Sequence, residues 1–88
     1  MTNEDDGQQL VTLCLRVTAE ADPSTLVRVL AQFQNLNIVP RRVLAELSTG
    51  RLIHVRIDVS DLPECRLSLI AAKIGQFPVV VNAYWHRL

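Results

Sequence analysis

The chain has 88 residues, 49% hydrophobic, 20% charged and 5% aromatic, and its nine basic and nine acidic side chains cancel. That length supports one hydrophobic core, and so apolar a chain with no net charge is not disordered. Zero net charge also argues against a general nucleic-acid binder, and no apolar run reaches the roughly 18–20 residues of a membrane span.

Residues 1–9 are acidic and polar. They read as a flexible tail rather than a signal peptide, which predicts a cytoplasmic protein. Residues 10–88 read as a single domain. From Leu10 to Thr18 the pattern alternates, with Val11, Leu13, Leu15 and Val17 against Thr12, Cys14, Arg16 and Thr18. Period two over this length is a strand with one buried face. Asp22-Pro23-Ser24-Thr25 then starts a helix. Asp22 can accept first-turn amides, and Pro23 has no amide to leave unsatisfied. Leu26, Val29, Leu30 and Phe33 recur at helical spacing. Asn37 is a left-handed stop.

Ile38 to Leu47 reads as a second strand, with Pro40 predicting an edge position because proline cannot donate to the ladder. Ser48-Thr49-Gly50 turns the chain into a third strand, Leu52 to Val59, completing a hairpin. Asp61 and Glu64 have capping-box spacing at the start of a second helix. There Leu62, Cys65, Leu69 and Ala72 form one stripe, broadened by Leu67, Ile70 and Ile74, and Gly75 is the stop. Val79 to Trp85 is the last strand. The order β-α-β-β-α-β with right-handed crossovers predicts an α+β, ferredoxin-like domain: a four-stranded antiparallel sheet with two helices on one face. The first and third strands are then central. Leu44, Leu52, Val80 and Tyr84 fall on the opposite face or an edge.

No constellation of catalytic residues stands out. Two cysteines, Cys14 and Cys65, are too few for a disulfide scaffold, lack metal-ligand spacing, and read as reduced packing residues. His54 and Asp58 are a conceivable acid–base pair, but four residues along one strand separates their Cα atoms by roughly 13 Å. The loop Thr18-Ala19-Glu20-Ala21-Asp22 is acidic and lacks the glycine and arginine of a phosphate cradle. The open-face residues of the central strands, Thr12, Cys14, Arg16, His54, Arg56 and Asp58, include no aromatic residue for base stacking. Neither a metal nor a cofactor is expected. Arg41 and Arg42 either protect the edge strand by charge or flank a contact between two copies across a two-fold axis.

The stretch Asp22-Pro23-Ser24-Thr25-Leu26-Val27-Arg28-Val29-Leu30, with Phe33 and the turn at Asn37, resembles the first loop and helix of ACT domains. More closely it resembles the short regulatory subunits of acetolactate (acetohydroxyacid) synthase. The likeness spans Leu10 to about Trp85. It implies a non-catalytic regulatory subunit that binds the acetolactate synthase large subunit, a thiamine-diphosphate enzyme of branched-chain amino acid biosynthesis, and forms a homodimer. The alternative is a free-standing ACT-like module that senses another small molecule for another partner. The resemblance implies a ligand loop at Ala21, Asp22, Pro23, Ser24 and Thr25, faced by Asn37, Ile38, Val39 and Pro40, with Arg41, Arg42 and Leu44 at the dimer contact.

This sequence departs from the family pattern at four places. Ser24 replaces a typical glycine, Ala21 a polar Asn, Val39 a polar residue, and Asn37 the turn glycine. An amino-acid ligand would lose two side-chain partners, each worth roughly 1.5–3 kcal/mol to a charged group. Together these weaken binding by on the order of a hundredfold. Only the amides of Ser24 and Thr25 are left to receive its carboxylate, so weak or absent feedback binding is expected.

Overall fold

The computed structural model describes residues 10–88; the expected tail at residues 1–9 lies outside the described residues. The elements follow the order β1 (Leu10–Glu20), α1 (Thr25–Asn35), β2 (Arg42–Leu47), β3 (Leu52–Pro63), α2 (Glu64–Ile74) and β4 (Val80–Arg87). All strand pairs are antiparallel and the sheet order is β2-β3-β1-β4. The predicted ferredoxin-like fold is the observed one.

The core lies between the helices and one sheet face. Leu13, Leu15, Val17 and Ala19 of β1 and Val55, Ile57 and Val59 of β3 meet Val29 and Phe33 of α1 and Leu67, Ile70, Ala71 and Ile74 of α2. Strand alternation put the β1 and β3 residues on one face. β2 is an edge strand, as expected, but not because of Pro40. The strand begins at Arg42, and Ile38 to Arg41 form a connection ahead of it. Its edge position follows from the two crossovers.

α1 ends as the sequence predicts. Asn37 is left-handed at φ 58°, the Ile38 amide donates to the Phe33 carbonyl at 2.9 Å, and the Asn37 amide donates to Gln34 at 3.0 Å. This pair of bonds is a Schellman motif with Asn at the position usually held by glycine. In the hairpin turn the positive φ belongs to Arg51 (62°) rather than to Gly50.

The start of α2 differs from expectation. Asp61 does not cap it. Asp61 sits at φ 58° in β3, where Ser60 and Asp61 stand opposite Thr12 alone and the register shifts. This is a β-bulge, and beyond it the strand continues to Pro63 with Leu62 beside Val11. Glu64 instead forms an ion pair with Arg87 of β4. The buried face of α2 is Leu67, Ile70, Ala71 and Ile74, while Cys65, Leu69 and Ala72 are exposed. Cys14 is buried as expected, but Cys65 is not a packing residue. Val80 packs against the core rather than lying on the opposite face.

Candidate functional site

A broad apolar concavity lies beside the β2 edge. It is a groove of about 670 Å³ between the outer side of α1 and the connection into β2. Val27, Leu30 and Phe33 form its helix wall, and Val39, Pro40 and Val43 form the other; the only polar side chains lining it are Gln34 and Asn37. Its floor is the buried Phe33, while its rim is open to solvent. Val39 is 87% exposed and Val27 69%. None of the six β2 residues is buried, although the strand reads Arg-Val-Leu-Ala-Glu-Leu. A chain this small exposes contiguous apolar surface chiefly where something else covers it.

Four expected site residues, Asn37, Ile38, Val39 and Pro40, line this groove. The other set, Ala21, Asp22, Pro23, Ser24 and Thr25, lies at the opposite end of α1. The eleven residues of that helix separate the two sets by about 16 Å. One chain therefore does not bring the two halves of the expected ligand site together. Of the expected contact residues, Arg42 and Leu44 stand beside Asp58 and Arg56 on the face away from the helices. Val27 and Val43, which the sequence reading did not select, are the ones that line the groove. The signal for Val27 was an apolar side chain on the polar side of α1; that for Val43 was an apolar side chain on the inward face of an edge strand.

The loop before α1 is saturated by its own hydrogen bonds. Asp22 Oδ1 accepts from the Ser24 amide at 2.8 Å and from the Ser24 hydroxyl at 2.7 Å. The Thr25 amide donates to the Asp22 carbonyl at 2.9 Å, and its hydroxyl donates to the Glu20 carbonyl at 3.2 Å. The expected capping of first-turn amides by the Asp22 side chain is corrected: the helix begins at Thr25 with Ser24 at the N-cap, and the Asp22 carboxylate bonds Ser24 while only its backbone carbonyl reaches the Thr25 amide. The expectation that the amides of Ser24 and Thr25 stand ready for a ligand carboxylate is corrected: both are engaged within the loop. The bonds from the Ser24 hydroxyl and amide also hold the Asp22 carboxyl below its ordinary range, so at neutral pH a negative charge occupies this position.

On the face away from the helices, the conceivable acid–base pair is taken apart. His54 Nδ1 lies 3.3 Å from the Thr18 hydroxyl. Asp58 is buried and accepts two bonds from Arg56, Nε to Oδ1 at 3.0 Å and Nη2 to Oδ2 at 3.2 Å. The Arg56 bonds hold the Asp58 carboxyl below its ordinary range against the opposing effect of burial. Burial pushes the neighbouring Cys14 thiol up. Because the folded pKa of Asp58 is depressed, its stabilisation is present above the unfolded value near about 3.9 and is lost as pH falls through the folded value. Asp58→Asn keeps the shape and removes the charge. It should cost about 2 kcal/mol at neutral pH by urea unfolding, with the difference from the native chain narrowing below about pH 4.

Among the described residues no group of three or more His, Cys, Asp or Glu side chains is placed to hold a metal ion. No helix among them is long and apolar enough to cross a membrane.

The model of the ACT-like domain family matches residues 6–88. The chain belongs to the ACT-like domain family. Among curated proteins, none matches it in sequence. Its fold is similar to the ACT domain from the GTP pyrophosphokinase of Chlorobium tepidum, with a TM-score of 0.75 at 8% identity over 89% of this chain and 100% of that one. It is also similar to the C-terminal domain of the MgtC protein from Mycobacterium tuberculosis, with a TM-score of 0.73 at 18% identity over 98% of this chain and 94% of that one. A homoserine dehydrogenase from Thiobacillus denitrificans contains the same fold, with a TM-score of 0.73 at 16% identity over 93% of this chain and 18% of that protein. At such identities the likeness is one of fold. As an ACT-like domain the chain is a regulatory module.

Proposed function

We propose that this ACT-like chain is a non-catalytic regulatory subunit that works as a homodimer built on the β2 edge. The observation that carries this reading is the apolar groove beside an edge strand that buries none of its side chains. Two β2 edges pairing across a two-fold axis run antiparallel, so the two α1 helices do also. The N-terminus of one α1 then lies by the C-terminus of the other. That arrangement unites Ala21 to Thr25 of one copy with Asn37 to Pro40 of its mate, which a single chain holds about 16 Å apart. Arg41, Arg42 and Leu44 flank the same contact.

The partner is the catalytic subunit of acetolactate synthase. The support for it is the Asp22 to Leu30 segment, whose Pro, Thr, Leu, Arg, Val and Leu stand at the spacing seen in the small subunits of that enzyme. Amino-acid feedback is weak or absent, because Asp22 already occupies the loop's amides. Pull-down with the acetolactate synthase catalytic subunit and assay of its rate test the assignment. Binding with a raised rate is the expected result. An unchanged rate on adding this chain removes the acetolactate synthase assignment and leaves an ACT-like module that acts on another partner.

A further inference from the structure

The sheet face away from the helices carries a second concavity, of about 210 Å³, that shares no residue with the groove. The register builds it in rows. Arg16 of β1 stands beside Arg56 of β3 on one side and Tyr84 of β4 on the other, and Leu44 of β2 follows Arg56. The next row holds Glu46, His54, Thr18 and Asn82. Pairing two β2 edges extends the sheet sideways and leaves this face uncovered.

The two arginines are not equivalent. Like charges directly opposite in an antiparallel pair are destabilising, and Asp58 answers only one of them. Arg56 holds that carboxylate with two bonds. Arg16 Nε donates to His86 Nε2 at 3.4 Å. That acceptor is an imidazole nitrogen, a ring that carries no negative charge to set against the guanidinium. Among the described residues no carboxylate is within ion-pair distance of Arg16. Among the described residues, then, a half-buried guanidinium faces a concavity with no carboxylate paired to it, beside a second cation and a phenol.

We propose that this concavity is a binding site for a small oxyanion, received by Arg16 with Arg56, Thr18 and Tyr84 around it. A guanidinium edge matches the two oxygens of a carboxylate or phosphate. Leu44 and the Tyr84 ring give a short carbon chain an apolar wall. Glu46 limits the charge. It stands two strands and one row from Arg16, about 12 Å away, and repels a second negative group at the β2 end. The site thus takes one anionic head and rejects polyanions.

The test is an amide NMR titration of the full chain with acetate and, separately, inorganic phosphate, against chloride at equal ionic strength. Saturable shifts at Arg16, Thr18, Arg56 and Tyr84 are expected, with half-saturation in the millimolar range. Saturation by acetate alone assigns the site to carboxylates, by phosphate alone to phosphates, and by both to oxyanions in general. Arg16→Gln should weaken binding at least tenfold. Tyr84→Ala, at an exposed position, should weaken it at least threefold. Shifts that chloride reproduces, or that persist unchanged in both variants, overturn the proposal. Neither result depends on the groove or on the partner enzyme.

Discussion

Val43→Asp is expected to turn the dimer into a monomer. Val43 lies on the helix side of β2, in register with Ile57, and lines the groove. In the proposed dimer it is covered by the second copy, and two-fold symmetry brings the substitution in twice. An unpaired carboxylate placed in an apolar contact costs about 3 kcal/mol, or on the order of a hundredfold in dissociation constant. Within one chain the position is 42% exposed, so folding should change by no more than about 1 kcal/mol. Sedimentation at tens of micromolar should show a dimer for the native chain and a monomer for the variant, at near-equal melting temperatures. A native chain that sediments as a monomer, or a variant that remains dimeric, places the contact elsewhere. If the regulatory reading holds, the monomer also loses its effect on the catalytic subunit.

The second large effect concerns Asp22. The native chain should give no micromolar binding heat with valine, leucine or isoleucine. Asp22→Ala releases the Ser24 amide and hydroxyl and removes a negative charge from the place where a ligand carboxylate would sit. Calorimetry should show the variant binding at least one of these amino acids tenfold or more tightly than the native chain. Asp22→Asn separates the two causes, because its carbonyl still accepts from Ser24 while the charge is gone. If the Asn variant gains as much as the Ala variant, repulsion is the obstacle; if only Ala gains, the occupied amide is. Micromolar binding by the native chain contradicts the reading of the loop, and silence from both variants removes the loop as an amino-acid site.

Much of this site was legible from local chemistry. Asn37 was readable as the end of α1 because few residues other than glycine tolerate positive φ, and the Schellman bonds are local to that turn. Asp22 was readable as a residue that bonds nearby amides, but as the cap of α1 it was placed two residues too early: Ser24 is the N-cap. What its spacing did not reveal is that Asp22 engages Ser24 and Thr25 together, through side chain and carbonyl, leaving neither amide for a ligand. The face of α2 was misjudged from one residue. Taking Leu62 as the first apolar position of the helix sets the stripe on Cys65, Leu69 and Ala72. The bulge at Asp61 draws Leu62 into β3, and the buried stripe is the one through Leu67. Helical spacing alone does not distinguish two apolar phases; where the strand lets go decides between them.

By itself the sequence determined the order of elements, the two faces of each central strand, the edge position of β2 and a surplus of apolar residues in a short neutral chain. Those follow from periodicity, crossover handedness and composition, all of which act along the chain. Tertiary structure alone decided which residues of different strands face one another. The register set Arg16 between Arg56 and Tyr84, gave Asp58 to Arg56 rather than to His54, and left Val27, Val39 and Val43 around one open groove. Register depends on two irregularities, one opposite Thr12 in β3 and one between Thr18 and Ala19 against β4, and on the lengths of the connections, and a slip of one residue would turn every side chain of a strand to the other face. The surplus of apolar residues has become a place: a groove at the β2 edge that one copy of the chain leaves uncovered.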